Sequence, residues 1–368
     1  MAKRSVLSLL LLYPISLVYG WVMAIRNAMF DHEIILKQKA FDIPVITVGN
    51  ISMGGSGKTP HTEYIIENLR KDHKIGVLSR GYKRRTKGFV LATENSHVED
   101  IGDEPYQIYQ KFRDKGVMVA VCEKRVDGIE KMRGIDPGLD LIVLDDAFQH
   151  RYVKPQIAVV LMEYNRPAFR DHMLPFGRLR EPMTALNRAD VIVVTKCPEN
   201  MKPVNRRIYN ESLNPFPYQK VLFSRYTYLE PVAVFRDSQA VRDCLIMPDL
   251  TENDTLLAVT GVANPRPFVR QLRKFKAKVK IKRFSDHHNF THTDLESIEE
   301  KFNAMKGNRK FIVTTEKDAM RLMNNPYFPH NLRKYIYYLP IEVSFDENEQ
   351  PLDQVLRQLL KTSNSLRH

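Results

Sequence analysis

At 368 residues the chain exceeds the roughly 250–300 that a single hydrophobic core usually organises, so two domains are expected. With 43% hydrophobic residues, no low-complexity tract and only Cys122, Cys197 and Cys244 as thiols, it is not a disordered chain, a solenoid or a disulfide scaffold, and a reducing compartment fits best. The formal charge of +13 calls for an anionic partner, and nucleic acid, an anionic membrane and a phosphorylated substrate all remain open on charge alone.

From the N-terminus, the segment Ser5 to Ile25, SVLSLLLLYPISLVYGWVMAI, carries no charged side chain; as a helix it would run about 30 Å, the thickness of a hydrocarbon core. At helical spacing Ser5, Ser8, Ser16, Tyr19 and Gly20 gather on one side and leave a Leu-rich surface opposite. Pro14 sits in the middle, Lys3 and Arg4 precede the segment and Arg26 follows it. Residues 1–30 are therefore expected to form a membrane-associated apolar helix lying in or dipping into one leaflet, with the rest of the protein in the cytoplasm. A spanning helix and a buried core helix are the alternatives. A cleaved signal peptide is disfavoured, because IRNAMFDHE makes a poor cleavage site.

Short apolar runs then alternate with helical stretches, at 43–49, 74–79, 117–121, 139–146, 157–162 and 189–196. Runs of Val, Ile and Leu without in-out alternation predict strands buried on both faces, hence a mostly parallel sheet with helices on both sides over residues 31–217. Residues 218–236 read as a β-ribbon linker broken at Leu229-Glu230-Pro231, and 237–368 as a smaller C-terminal α/β domain with strands at 255–261, 278–284, 310–315 and 335–340. The last helix, PLDQVLRQLLK, is free at this level to pack on either domain.

The first strand stops in VGNISMGGSGKTP, Val48 to Pro60. Gly54, Gly55 and Gly57, with Ser56 among them, let backbone amides converge on phosphate oxygens; the helix starting near Lys58 adds its positive end, Lys58 reaches the terminal phosphates, and Thr59 is placed to ligate magnesium. The usual first glycine of such a P-loop is Ser52 here. In LIVLDDAFQHR, Asp145 and Asp146 end a buried strand, where acids hold the Mg2+ that bridges nucleotide phosphates; a helix N-cap is the plainer role for Asp146.

With these motifs in place, the chain resembles the tetraacyldisaccharide 4'-kinases. The resemblance extends to SRGYKRR (79–85), GDEP (102–105), LDDAFQHR (144–151), PFGRLREP (175–182), GVANPRPF (261–268), FSDHHNF (284–290) and TTEKDA (314–319). It implies ATP- and Mg2+-dependent phosphorylation of the 4'-hydroxyl of an acylated glucosamine disaccharide 1-phosphate at the cytoplasmic face of the inner membrane, whose anionic surface is the second partner. It also implies a P-loop NTPase-like core with the smaller domain appended. Asp103 of GDEP matches the family's catalytic base, although an acid before Pro105 is also a common turn former. His287 matches the histidine that pairs with that base; by itself the Asp286-His287-His288 run with His292 would also suggest zinc, which the missing cysteine ligands disfavour. Arg180 and Glu181 match an active-site pair, the arginine neutralising phosphate charge and the glutamate binding magnesium or water, with a surface salt bridge as the plainer alternative. Arg80 first, and Arg84, Lys83 and Arg85 after it, are candidates to grip the 1-phosphate or anionic lipid, with Asn50 as a further substrate contact.

Two rivals come from other classes. VVTKCPE sits where a GTPase or metallochaperone-like switch carries its guanine motif, but the position that must be acidic is Pro198, which favours ATP. RQLRKFKAKVKIKR (270–283) suggests nucleic acid, yet from Lys276 its bases alternate with apolar residues as on one solvated face of a half-buried strand, so no nucleic acid is expected. A monomer is the expectation for its assembly, with no sequence feature that decides it.

Overall fold

The computed structural model describes residues 6–235, 244–286, 288–347 and 349–365. The chain forms two compact units, the first comprising Met1–Asn95, Ile108–Tyr226 and Val343–His368, the second Ser96–Gln107 and Thr227–Glu342.

In the first unit the expected apolar runs become β1 (Val45–Gly49), β2 (Ile75–Ser79), β4 (Met118–Val121), β5 (Leu141–Asp145), β6 (Ile157–Glu163) and β7 (Val191–Thr195), joined by an antiparallel two-residue edge, β3 (Val90–Leu91). Every residue of β1, β2, β5 and β7 is buried, as strands covered on both faces must be. Helices α2 (Lys58–Leu69), α5 (Arg125–Ile135) and α6 (Pro203–Leu213) belong to this unit, and α3 (Val98–Ile101) to the second; α4 (Asp103–Phe112) begins within Ser96–Gln107.

After β8 (Lys220–Tyr228) and β9 (Val232–Ala233), the second unit continues through β10 (Thr255–Thr260), α7 (Arg266–Leu272), β11 (Lys278–Arg283), α8 (His292–Asn303), β12 (Lys310–Thr315), α9 (Glu316–Met323) and β13 (Ile336–Leu339). Among the described residues these strands form a five-stranded sheet of order β11-β10-β12-β13-β9. In edge strand β11, Lys278 and Lys280 are exposed while Val279 and Ile281 are half-buried, so the basic run is the wet face of a strand.

Chain order and spatial order part company at the C-terminus. β14 (Ile341–Phe345), which the sequence pattern leaves unmarked, extends the first sheet to the order β14-β8-β7-β6-β1-β5-β2-β4-β3, and α10 (Leu352–Ser365) packs against α2. Tyr64 donates to Asp353 at 2.7 Å, and Arg357 to the Asn68 carbonyl at 2.7 Å. The last helix, which the sequence leaves free to pack on either domain, thus falls with Val343–His368 in the first unit, while Ser96–Gln107 groups with the second.

β1 lies between β5 and β6, in parallel register with both. Strands are added on one side up to β5 and on the other from β6, so the sheet's switch point falls at the carboxyl ends of β1 and β5, where open α/β sheets bind ligands.

Helix α1 (Val6–Asp31) is inside out relative to an ordinary surface helix. Its polar side chains face the protein, with Ser16 and Asn27 buried, the Ser16 hydroxyl donating to the Met173 carbonyl at 2.6 Å and the Tyr19 hydroxyl to the Arg180 carbonyl at 3.0 Å. Leu10, Leu11, Leu17, Val18, Trp21, Val22 and Ile25 point outward, each more than half exposed. Among the described residues this helix is long and apolar enough to cross a membrane by length and composition.

Candidate active site

The turn after β1 has the dihedrals a phosphate cradle needs. Gly54 has φ +117°, and Gly57, with φ +92°, precedes the first residue of α2. Gly57 is doubly required, because a Cβ there would lie 2.0 Å from the Tyr226 hydroxyl oxygen. Ser52 needs no glycine freedom: it makes a strand-like bridge to Leu179 and is not among the positive-φ residues.

Neighbouring elements brace this loop. Asn50 donates to the Ser56 hydroxyl at 2.8 Å, Thr195 to the Ser56 carbonyl at 2.7 Å, and the Lys196 ammonium to the Gly55 carbonyl. The backbone amides of Met53 and Arg180 reach the carbonyls of Arg178 and Ile51, each at 2.7 Å, tying the loop to the RLREP segment. His61 is completely buried in the first turn of α2, its Nδ1 2.7 Å from the Gly57 carbonyl and its Nε2 2.8 Å from the Ser224 hydroxyl. Burial pushes its pKa down to about 4, so a neutral ring donates through Nδ1 and accepts at Nε2. Asn50, expected on the substrate, is fully buried and spends its amide inside the loop.

The two aspartates at the end of β5 diverge. Asp145 is buried and accepts from the Thr62 hydroxyl at 2.8 Å. Asp146 adopts φ +47°, a left-handed conformation uncommon for a residue with a side chain, and its Oδ1 lies 3.6 Å from the Lys58 Nζ and 4.0 Å from an Arg180 Nη1. That oxygen is shielded from solvent and has no hydrogen-bond partner. A buried carboxylate oxygen without a donor, between a P-loop lysine and an arginine, fits a site for Mg2+. Among the described residues no cluster of three or more His, Cys, Asp or Glu could hold a metal unaided.

Arg125 lies within electrostatic reach of this carboxylate pair. Arg125 is buried and donates to the carbonyls of Cys122 and Glu123; burial, with Arg80 adding, pulls its pKa down to about 10. His150 is pushed down to about 4 by burial and by Arg125, Arg26 and Arg80, leaving a neutral ring. Arg26 of α1 donates to the Gln149 carbonyl at 2.8 Å, and Gln149 to the Asn50 carbonyl at 2.6 Å. Gln149 and His150 lay in a motif already noted for its aspartates; Arg125 had no sequence signal.

Of the basic loop after β2, Arg80 is exposed, beside a recess of about 380 Å³ also lined by Tyr82, Lys83 and Lys87. Arg84 has a different place: its side chain is 2% exposed and donates to Glu123 at 2.6 Å and to the Gly88 carbonyl, pinning the loop from beneath. Glu181 is fully buried; its Oε2 accepts from Asn27 of α1 at 3.1 Å and pairs with Arg188, while its Oε1, like the Asp146 oxygen, has no hydrogen-bond partner. Lys58, Asp146 and Arg180 thus meet, Asn50 and Arg84 are engaged in holding the surrounding structure, and Asp145 and Glu181 each also bond to neighbouring elements.

In the second unit, Asp103 is the first residue of α4, after Gly102 with φ +91°, and forms an ion pair with Arg321. His287, expected as its partner, lies outside the described residues. His288 pairs with Asp294 at 2.9 Å.

Comparison with known proteins agrees with these features. Residues 8–361 match the sequence profile of the family described as LpxK, tetraacyldisaccharide-1-P 4'-kinase. The chain is 45% identical over 344 residues to the tetraacyldisaccharide 4'-kinase of Bacteroides thetaiotaomicron, covering 92% of this chain and 90% of that protein. It is 46% identical over 340 residues to the enzyme of the same name from Bacteroides fragilis, covering 92% and 89%. Its fold is similar to that of LpxK from Aquifex aeolicus, crystallised in complex with ATP, with a TM-score of 0.70 and 26% identity over 96% of this chain and 98% of that one.

Proposed function

The chain belongs to the tetraacyldisaccharide-1-P 4'-kinase family, and from that premise we propose that it transfers the γ-phosphoryl group of ATP to the 4'-hydroxyl of tetraacyldisaccharide 1-phosphate in lipid A biosynthesis. The observation that carries this reading is the buried Asp146 oxygen that has no hydrogen-bond partner and lies 3.6 Å from the Lys58 ammonium at the start of α2. Mg2+, when bound, supplies charge neutralisation on the phosphates. Gly54, Gly55, Ser56 and Gly57 offer the amide cradle, Lys58 and Arg180 neutralise developing phosphate charge, and Thr59 and Asp146 hold the ion. Asp145, through Thr62, keeps Asp146 and α2 in register. A guanine-nucleotide switch is not favoured, since the relatives are kinases and Pro198 stands at the position that would need an acid.

Asp103, with His287, is the group that accepts the sugar hydroxyl's proton, and Arg80 grips the 1-phosphate. The protein acts as a monomer at the cytoplasmic face of the inner membrane, with the outward apolar side of α1 in the lipid; a helix whose polar residues are spent on the protein and whose Leu, Val and Trp side chains face out supports that reading. The test incubates the purified chain with detergent, MgATP and acylated disaccharide 1-phosphate, and locates the added phosphate by mass spectrometry. Phosphate on the 4'-oxygen is expected; phosphate on another position, or none, overturns the reading.

A further inference from the structure

Within the second unit, the carboxylate of Asp103 is held by a chain of bonds that begins at a backbone amide. The Gly261 amide donates to Asp318 Oδ2 at 2.8 Å, and the Thr315 hydroxyl to the same oxygen at 2.7 Å. Asp318 is fully buried, and its other oxygen accepts from Arg321 Nη1 at 3.1 Å. Arg321, 8% exposed on α9, then presents its remaining edge to Asp103, Nε to Oδ1 at 3.2 Å and Nη2 to Oδ2. The other charged groups facing this pair are Glu104, in the same turn as Asp103, and Lys317, one turn before Arg321, which bond each other at 2.8 Å.

A two-point guanidinium fork fixes a carboxylate's plane as well as its position, which a single ammonium does not. It takes one lone-pair site on each oxygen and leaves others open, since an ionised carboxylate has about four. Phosphoryl transfer to a hydroxyl asks more of a base's placement than of its strength, because the transition state is loose and proton transfer lags behind it. We propose that Arg321 is a positioning residue for the reaction: braced by Asp318 on the Gly261 amide, it fixes the direction of the Asp103 carboxylate for the incoming sugar hydroxyl. This rests on the reading of Asp103 as the base.

The experiment compares Asp103→Asn, Arg321→Lys, Arg321→Met with Asp318→Asn, and the triple variant, using full-length protein, detergent, MgATP and acylated disaccharide 1-phosphate. The Asp318→Asn change in the Met variant removes the buried charge that would otherwise lose its partner, so the fold survives; thermal melts check it. The Met/Asn variant is expected to lose about 10²-fold in kcat with KM for ATP unchanged, and the acid limb of its kcat profile to move up by about one pH unit as the neighbouring positive charge is lost. Arg321→Lys restores the limb but only part of kcat, since it keeps the charge and loses the fork. In the Asp103→Asn background the Arg321 change costs nothing further. A folded Met/Asn variant with wild-type kcat and acid limb overturns the role of Arg321 alone, provided Asp103→Asn is inactive; Asp103→Asn with normal kcat overturns the base assignment and this inference with it.

Discussion

Thr62 donates its hydroxyl to Asp145 Oδ1 at 2.8 Å, which ties the end of β5 to the helix behind the phosphate loop. Asp146, turned by its left-handed backbone, keeps an oxygen without a donor opposite Lys58. Asp146→Asn should lower kcat by on the order of 10²-fold and raise the Mg2+ concentration needed for half-maximal rate, with an unchanged melting temperature. Thr62→Val should instead destabilise by about 1–3 kcal/mol, because it strips a hydrogen bond from a buried carboxylate. Steady-state kinetics across a Mg2+ titration and thermal melts separate the two.

The buried Glu181, between Asn27 and Arg188, gives a second expectation. Glu181→Ala should cost about 3–5 kcal/mol of stability, since it leaves Arg188 largely buried without its partner. Urea denaturation reads this out. A variant with normal stability that needs more Mg2+ would return Glu181 to the role of metal ligand.

His61 makes the phosphate loop sensitive to acid. Its folded pKa, about 4, lies below the ordinary value of 6.5, so the unfolded chain binds the extra proton between those values. Its contribution is fully present above pH 6.5 and is lost as pH falls towards 4, at up to about 1.4 kcal/mol per pH unit. Stability measured by urea midpoint should decline over that window, and His61→Gln should flatten the decline.

Trp21 is the single tryptophan of the chain and is 75% exposed on the apolar side of α1. Vesicles containing anionic lipid should shift its emission to shorter wavelength as the indole leaves water. Replacing Leu17, Val18 and Val22 by serine should weaken vesicle co-sedimentation with little change in melting temperature, since more than half of each residue is exposed. An emission maximum that stays put at saturating lipid would count against burial of this face in the bilayer.

Much of the frame was legible in the chain. The six apolar runs of the first unit became strands because uninterrupted Val, Ile and Leu can be satisfied only where both faces are covered. The polar stripe of α1 was legible too, in Ser16, Tyr19 and Gly20, since helical spacing places residues on a face whatever that face meets. β14 was not: Ile341–Phe345 is short and unflanked by glycine, and it is a strand because β8 offers an edge.

What the sequence by itself determined is chemistry that is local along the chain: glycines where φ must be positive, a lysine at the first turn of a helix, acids at the end of a strand. The tertiary structure decided which charges meet. It gave Asp145 to Thr62, Glu181 to Asn27 and Arg188, and Arg84 to Glu123, and it set Arg321 against Asp103, 218 residues away. Such pairings follow from how far apart side chains lie once helices pack on a sheet, and residue spacing in the chain carries no record of that distance.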